Sequence, residues 1–405
     1  MEVTLAYGRD GLLAHVPDDA VVVTPTNLPV LADEAGAIAA AVRAPLDDAV
    51  RPSARVAVVF PDITRPMPNR TVLPPLLAEL ERRGCGPDEV VLMCGTGTHR
   101  AATAAELAEL VGPAVAGRYE IRNHVATSGD HVHVGDVDGV PVLLERAWVD
   151  ADVRIVTGFV EPHFFAGFSG GPKGVCPGVA ALETILECHS PARIADPRAT
   201  WTVLDGNPVH DFVRAAAALA PAHLELDVAI NDDRGVTAVF ANAHRDACAF
   251  VERTSVQRVP GRFDVVLSTN SGHPLDRNLY QAVKGMAAAE RVVRAGGTIV
   301  MAAACVDGVP AEGEFGRILA AAGSPDALAR ADGPPGLDRW QAQVLGRVLG
   351  QARVQLHAEG LTDDEVRAAH LEPVADVSDA VASAAGRDRR VCVLPLGPLT
   401  VATAV

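Results

Sequence analysis

A glycine-dense stretch near the middle of the sequence holds residue types that bind anions or form covalent links. It runs from Glu161 to Gly178 and carries Lys173 among five glycines. A lysine in such a loop is either a phosphate contact or a reactive amine. The Walker A pattern is not met, because Pro172 and Gly174 stand where that pattern needs glycine and a serine or threonine. Several phenylalanines close by favour a lined pocket over an exposed flexible loop.

Two other short segments combine a histidine or an arginine with small polar residues. Residues 95–98 (Gly-Thr-Gly-Thr) expose backbone N–H groups of the kind that bind phosphate, and they end at His99. Two glycines alone are weak evidence, and His99 could equally cap a helix. The other segment holds Asp62, Thr64 and Arg65. It is either a plain turn closed by its own side chains, or a site where the Arg65 guanidinium binds a carboxylate or phosphate.

Candidate metal and substrate ligands lie further along the chain. His189 ends a predicted helix, where it either complements the helix dipole or binds a metal such as Ni, Cu, Zn or Fe. A closed structural zinc site is not expected, because no HExxH or CxxC pattern accompanies it. Gln281 and Lys284 are three residues apart and share one face of a predicted helix. That face is either solvated or functional, and Trp340 is either a core anchor or a pocket wall.

Short runs rich in β-branched residues alternate with Ala- and Leu-rich segments, and these elements must position the polar side chains. Nearly continuous apolar strands between helices are typical of parallel sheets covered on both faces, so the sequence predicts an α/β fold with mostly parallel sheets. We predict strands at residues 55–60, 89–93, 152–157, 226–230, 263–268, 297–302 and 391–394. We predict helices at residues 71–83, 103–110, 180–187, 208–219, 281–295 and 339–350.

Four of the predicted strands run directly into polar loops, at residues 61–68, 95–100, 158–163 and 270–274. Ligands of open parallel sheets bind beyond the carboxyl ends of the strands. We therefore expect the four loops to outline one site, or two facing sites across a cleft. A basic stretch with proline and glycine at residues 255–262 marks a domain boundary. It predicts an N-terminal cofactor-binding α/β domain at 1–258 and a C-terminal α/β domain at 259–405, whose last residues pack back on the first.

Charge and composition exclude some classes of function. The chain has 405 residues and a formal net charge of -16, which argues against a nucleic-acid partner. Its seven cysteines show no CxxC spacing and are predicted to be reduced thiols. The first residues lack a signal-peptide pattern, and no apolar run is long enough to span a membrane. These features predict a cytoplasmic protein with no membrane contact.

Five motifs in order along the chain resemble those of the nickel-dependent lactate racemase family. They are Asp62-x-Thr64-Arg65-Pro66, Gly-Thr-Gly-Thr-His99, Glu-Pro-His163 with the glycine-rich run to Lys173, the His189-Ser190 pair, and Tyr280-Gln281-Ala-Val-Lys284. The resemblance extends from about residue 62 to residue 340. Pro172 is a departure, because arginine is common at that position in the family.

The resemblance implies two α/β domains with the active site between them and a nickel-pincer nucleotide as cofactor. This is a pyridinium mononucleotide with thioamide and thiocarboxylate arms that hold nickel. Lys173 would carry the covalent link, His189 would bind the metal, and His99 and His163 would be the acid/base pair. The substrate would contact Arg65, Gln281, Lys284, Tyr280 and Trp340. Residues expected around the cofactor, or supporting the histidines, are Asp62, Thr64, Gly95, Thr96, Gly97, Thr98, Ser169, Gly170 and Gly171.

The implied chemistry explains why these residue types are needed. Removing a proton from C2 of a 2-hydroxy acid is unfavourable beside a carboxylate, whereas hydride removal to the cofactor gives a transient 2-keto acid. Return of hydride to either face completes racemisation, and the hydroxyl group needs a base in each of two substrate orientations. Two histidines meet that need, because imidazole exchanges protons near neutrality. Arg65 and Lys284 would hold the carboxylate.

Other functions fit the same motifs. The substrate could be malate, an aromatic or branched 2-hydroxy acid, or a sugar acid. A non-catalytic nickel-nucleotide carrier would need neither a histidine pair nor a carboxylate clamp. An ordinary nucleotide-binding transferase would use the glycine-rich loop for phosphate alone. The resemblance further implies cofactor maturation enzymes as partners, and the chain is expected to be a monomer or a homodimer.

Overall fold

The computed structural model describes residues 1–310, 313–386 and 389–405. The strands are β1 (Glu2–Leu5), β2 (Leu12–His15), β3 (Val21–Val22), β4 (Val56–Pro61), β5 (Val90–Gly95), β6 (Glu120–Asn123), β7 (His131–Val137), β8 (Val140–Glu145), β9 (Val153–Phe159), β10 (Pro162–His163), β11 (Gly167–Phe168), β12 (Leu224–Ile230), β13 (Val236–Ala241), β14 (Val256–Val259), β15 (Phe263–Thr269), β16 (Val293–Ala302), β17 (Ala352–His357), β18 (Glu372–Pro373), β19 (Val391–Leu394) and β20 (Val401–Ala404). The helices are α1 (Glu34–Ala49), α2 (Asn69–Glu81), α3 (Ala104–Val111), α4 (Pro113–Ala116), α5 (Arg146–Val149), α6 (Leu182–Cys188), α7 (Pro191–Ala195), α8 (Pro208–Ala218), α9 (His244–Ser255), α10 (Leu279–Glu290), α11 (Phe315–Ala321), α12 (Pro325–Ala329), α13 (Arg339–Gln351), α14 (Asp363–Ala368) and α15 (Val377–Ala385).

The first large sheet has six strands in the order β13-β12-β9-β4-β5-β6. Its strands are parallel except for the edge strand β13, which runs antiparallel to β12. The central strands β4 and β9 are buried almost throughout because helices cover both faces. The predicted α/β class with mostly parallel sheets is therefore confirmed.

The second large sheet has the order β18-β17-β16-β15-β19-β3, and all its neighbouring strands are parallel. Its edge strand β3 comes from the start of the chain, within the range predicted for the first domain. The last strand, β20, pairs with β14 close to the predicted boundary. The backbone N–H of Thr26 donates to the Thr254 carbonyl, so the two segments that connect the sheets lie side by side. The division at 258/259 itself stays a prediction.

The predicted central strands and most of the predicted helices lie within a few residues of the observed ones. The main difference concerns the helix predicted at 281–295, which ends at Glu290 as α10. Strand β16 begins at Val293, because Val292 and Val293 are fully buried as the chain turns into the second sheet. Both sheets contribute to one apolar cluster that includes Val59 and Met286.

Two predictions about chemistry and environment can be compared directly with this fold. All seven cysteines are buried and free, as the lack of a spacing pattern indicated. Among the described residues, no helix is both long enough and apolar enough to cross a membrane.

Candidate functional site

One pocket collects almost all of the predicted site residues. It lies beyond the carboxyl ends of β4, β5 and β9 and is closed by α10 and the start of α13 from the other half of the chain. The predicted residues that line it are Asp62, Arg65, Gly95, Thr96, Gly97, Thr98, His99, His163, Ser169, Gly170, Gly171, Lys173, His189, Tyr280, Gln281, Lys284 and Trp340. Thr64 is the exception, and it lines an adjoining pocket next to His99.

The loop after β15, expected to outline the same site or a facing one, contributes only Pro274, which lines the adjoining pocket together with His99. Residues 270–274, all of which the structure describes, are not part of the lining of the first pocket. Asn270 instead accepts a hydrogen bond from the backbone N–H of Gly285 at 3.0 Å, and Ser271 donates to the Leu396 carbonyl at 2.6 Å. Asn270 therefore holds α10 in place, and α10 rather than residues 270–274 lines this pocket.

His99 is oriented by a carboxylate that follows β4. Its Nδ1–H donates to Asp62 Oδ2 at 2.7 Å, so Nε2 is the ring nitrogen left to exchange a proton. The other oxygen, Asp62 Oδ1, accepts from the Thr64 hydroxyl at 2.7 Å and from its backbone N–H at 3.1 Å. Burial favours the neutral acid, but His99, Arg65 and Thr64 outweigh it and lower the pKa of Asp62. Asp62 and Thr64 thus support a histidine in this structure.

His163 lies in the short hairpin of β10 and β11. Its Nδ1 accepts hydrogen bonds, whereas Nδ1 of His99 donates one. Its Nδ1 accepts from the backbone N–H of Ala166 at 3.3 Å and of Phe165 at 3.5 Å, which places the ring proton on Nε2. The ring stacks on Phe164 at 4.8 Å and is 6% exposed. Burial, followed by the charges of Lys173, Lys284 and Arg65, lowers the pKa of His163 well below its usual value. The ring is therefore neutral at physiological pH.

His189 immediately follows α6 and has one ring nitrogen available for a metal. Its Nδ1–H donates to the Ile185 carbonyl at 2.8 Å, the arrangement by which metal-binding histidines are commonly oriented. The ring packs against Trp340 and Phe165, with centroids 4.7 and 5.4 Å away. No group of three or more His, Cys, Asp or Glu side chains suited to a metal occurs in the described part of the chain. A metal at His189 would therefore take most of its ligands from a bound cofactor.

Lys173 lies in the 3-10 turn Gly171–Gly174, with its backbone N–H donating to the Gly170 carbonyl at 3.2 Å. Its ammonium nitrogen lies 5.8 Å from the centre of the Phe165 ring, within cation–π range. Burial, then the nearby charge of Arg65, lowers the pKa of Lys173 to about 7. A large fraction of this amine is therefore neutral and nucleophilic at neutral pH.

The first turns of α10 supply the polar wall that faces these groups. Asn278 caps the helix by accepting from the backbone N–H of Gln281 at 3.0 Å. Gln281 Oε1 is buried without a hydrogen-bond partner in the described residues, as expected for a group that contacts a ligand. Burial and Arg65 also lower the pKa of Lys284 to about 7. Trp340 donates its indole N–H to the Tyr280 hydroxyl at 2.8 Å, which fixes both rings at the pocket edge.

The lysine count is a sequence signal that motif searching missed. The chain has 35 Lys and Arg residues, yet only Lys173 and Lys284 are lysines. Both of these lysines line the same pocket. All the other residues in this count are arginines. Lysine differs from arginine in carrying a compact amine that can lose its proton, and both such amines are in the pocket.

Other predicted cofactor contacts use their side chains to hold the backbone. Ser169 Oγ donates to the Phe159 carbonyl and accepts from the backbone N–H of Glu161, both at 2.9 Å. Thr96 Oγ1 donates to the His124 carbonyl at 2.7 Å. In these two residues the backbone, rather than the side chain, is the group left to contact a ligand.

Two buried acid–histidine pairs support the loops and were missed in the sequence. His124 is hydrogen-bonded through both ring nitrogens, Nδ1 to Glu145 at 2.7 Å and Nε2 to the Ala180 carbonyl at 2.9 Å. Asp227 bonds His244 Nδ1 at 2.7 Å. The only available signal was a charged residue inside an apolar strand, which Asp227 provides within β12.

Comparisons with known proteins agree with this geometry. Residues 7–202 match the family model described as the lactate racemase N-terminal domain, and residues 258–401 match the lactate racemase C-terminal domain. The chain is 34% identical over 367 residues to the lactate racemase of Lactiplantibacillus plantarum, covering 87% of this chain and 86% of that protein. It is 32% identical over 366 residues to the lactate racemase of Thermoanaerobacterium thermosaccharolyticum, covering 87% and 85%.

Solved structures show the same fold. The lactate racemase apoprotein from Thermoanaerobacterium thermosaccharolyticum superposes with a TM-score of 0.90 at 29% identity, covering 99% of this chain and all of that one. A Thermotoga maritima protein superposes with a TM-score of 0.72 at 19% identity, covering 92% and 98%, and shares the fold alone.

The lowered lysine pKa values predict how the protein reacts with acetic anhydride, which acylates only neutral amines. The acylation rates of Lys173 and Lys284 should rise through pH 7 and level off above it. An ordinary lysine, with a pKa of about 10.4, would keep gaining reactivity up to that pH. Peptide mass spectrometry of timed reactions measures both rates, and urea-unfolded protein is the control. Rates that keep rising to pH 10 in the folded protein would contradict the lowered values.

Proposed function

The chain belongs to the lactate racemase family and is an isomerase of the racemase class, and on this basis we propose that it interconverts the enantiomers of lactate or a closely related 2-hydroxy acid. The main support is one pocket that combines two histidines in complementary proton states with a carboxylate-binding set of cations. A carrier of cofactor would have no use for either feature.

A nickel-pincer nucleotide fits the residues of the pocket. His189 offers one free ring nitrogen and Lys173 a neutral amine, which suit a metal ligand and a covalent link. The backbone of the Gly95–Thr98 segment and of the Ser169–Gly171 segment would hold the phosphate-bearing part. When bound, this cofactor supplies an acceptor and donor of hydride beside C2 of the substrate.

Substrate binding rests on the basic and amide groups of the opposite wall. Arg65 can bind the carboxylate with two parallel hydrogen bonds, while Lys284 adds a second positive charge. The unpartnered Oε1 of Gln281 accepts a hydrogen bond, which suits the substrate hydroxyl. Holding the carboxylate lets a 2-keto acid rotate within the pocket without leaving it.

His99 takes the hydroxyl proton in one substrate orientation. Its Nε2 accepts the proton while Nδ1–H remains bonded to Asp62. The buried carboxylate then stabilises the imidazolium that forms, much as an aspartate orients the histidine in a hydrolase triad. Thr64 contributes by fixing the second oxygen of Asp62.

His163 serves the other orientation from a different starting state. With its proton on Nε2 it first donates a hydrogen bond to the substrate oxygen. To act as a base at Nε2 it must be the other tautomer, with the ring proton on Nδ1 and without the long bonds from Ala166 and Phe165. The rings of Phe164 and Phe165 beside it exclude water from the reacting oxygen.

The function is tested by incubating cofactor-loaded protein with a single enantiomer of lactate. We expect the opposite enantiomer to appear until the two are equal, as chiral chromatography would show. Protein without cofactor is the control. Single enantiomers of malate, a branched, an aromatic and a sugar 2-hydroxy acid complete the panel. Turnover of one of these acids without turnover of lactate would identify that acid as the substrate. Absence of turnover with lactate and with every acid of the panel would contradict the proposal.

The role of the Asp62–His99 pair predicts a strong effect of two substitutions. Asp62→Asn and His99→Ala should each lower kcat by about 100-fold or more, because general base catalysis typically contributes that much. Nickel content and covalent cofactor should be unchanged. The matched control is Asp136→Asn, which alters an exposed acid–histidine pair at His133 and should leave kcat unchanged. Wild-type kcat in both site variants would remove His99 from the mechanism.

The covalent link predicts a mass change that depends on one lysine. After loading with cofactor, the intact wild-type chain should carry an adduct, and Lys173→Ala should carry none, because the reactive amine is gone. Lys284→Ala should keep the adduct. With two lysines in the chain, intact mass and one peptide map place the link without ambiguity. An adduct on Lys173→Ala, or none on the wild type, would show that the lysine role is wrong.

A further inference from the structure

A buried carboxylate lies behind the loop that carries Lys173, on the side of the loop that faces the first sheet. Asp227 is in the middle of β12 and is 1% exposed. Its Oδ1 accepts from the backbone N–H of Gly171 at 2.9 Å, and its Oδ2 accepts from His244 Nδ1 at 2.7 Å. One side chain therefore joins the glycine loop to the first residue of α9.

The glycine loop is packed so tightly on this pair that no side chain would fit. A Cβ atom on Gly170 would lie 2.6 Å from Asp227 Oδ1, and one on Gly171 would lie 2.5 Å from His244 Cγ. Both glycines also have positive φ, at 82° and 50°, which other residues rarely adopt. The two glycines before Lys173 thus bring the backbone into direct contact with Asp227 and His244.

The pair is an ion pair at neutral pH. Burial alone would lower the pKa of His244, but the hydrogen bonds with Asp227 and with the Cys248 thiol raise it to about 10. His244 Nε2 lies 3.5 Å from Cys248 Sγ on the next turn of α9. Other titratable groups near the ring are His210 of α8, whose ring centroid is 6.4 Å away, and Glu225 of β12. A buried charge that loses its partner is strongly unfavourable, so each residue needs the other.

We propose that Asp227 and His244 are positioning residues that hold the Gly170–Gly171 backbone and so fix Lys173 for attachment of the cofactor. The connection is short, because Gly171 begins the turn in which the Lys173 N–H bonds the Gly170 carbonyl. Neither residue lines the pocket, so both act through the loop. The attachment step rests on the proposed function, whereas the position of Lys173 does not.

The reactivity of Lys173 in cofactor-free protein reports its position, with Lys284 as internal reference. The groups that set the Lys173 pKa are Arg65, Glu161, Cys176 and Cys188, on the segments around it. If the loop is released, the amine gains water and its pKa rises. Asp227→Ala should therefore raise the pH midpoint of Lys173 acylation by about one unit or more, while the Lys284 midpoint stays near 7.

Substitutions at His244 separate positioning from general stability. His244→Ala removes the donor to Asp227 and should shift the Lys173 midpoint as Asp227→Ala does. His244→Asn keeps an N–H at the position of Nδ1 but not the charge, and should shift the Lys173 midpoint less than His244→Ala does. The control is Asp205→Asn, which breaks the exposed ion pair with Arg245 on the same helix and should shift nothing. Thermal unfolding is measured for each variant, and acylation is run well below each Tm.

Cofactor-loaded protein provides the second readout. Asp227→Ala and His244→Ala should slow appearance of the covalent mass adduct by about tenfold, equal to about 1.4 kcal/mol. An unshifted Lys173 midpoint in folded Asp227→Ala and His244→Ala would overturn the proposal, and so would equal shifts of both lysines. Absence of any adduct on the wild type would contradict the attachment at Lys173 but leave the acylation result to decide the positioning role.

Discussion

Arg65, Lys173 and Lys284 share one partly buried pocket. Their mutual repulsion and their loss of contact with water determine the chemistry of the site. Burial, followed by the charge of the Arg65 guanidinium, lowers the pKa of Lys173 and Lys284 to about 7. Burial, followed by the same charges, lowers the pKa of His163 and keeps its ring neutral. Burial raises the pKa of Glu161 although all three cations act against it, so this acid does not fully offset them. In the proposed function a carboxylate substrate would supply the missing negative charge locally, within a chain whose net charge is -16.

The glycine loop that carries Lys173 is held from two sides. Asp227 and His244 pack against Gly170 and Gly171 on the side that faces the first sheet. On the other side the backbone N–H of Gly97 donates to the Gly178 carbonyl at 3.1 Å, so the two predicted cofactor loops touch directly. The buried His124–Glu145 pair fixes the same region through Ala180. In each of these contacts the segment uses its backbone atoms. Glycine allows the close approach that such contacts need, which explains why the segment is rich in glycine rather than in polar side chains.

The sequence predicted those site residues that have a characteristic type and directly follow a strand. Asp62, His99 and His163 follow strands, and strand ends are predictable from apolar runs. The loop at 270–274 follows the same rule, but only packing shows that Asn270 is used to hold α10 and Ser271 to bond Leu396, which leaves Pro274 to line the adjoining pocket. Long-range pairs such as Asp227 with His244 leave no local pattern. Their partners are distant in sequence and meet only after the sheet has formed.

The side-by-side segments around Thr26 and Thr254 have a mechanical consequence for the pocket. Strand β3 near the start of the chain belongs to the second sheet, the chain then builds the first sheet, and it returns beside the point where it left. In topological terms the first-sheet half is an insertion with adjacent entrance and exit. The wall formed by α10 is therefore joined to the first sheet by two covalent connections, in addition to the apolar cluster that both sheets share.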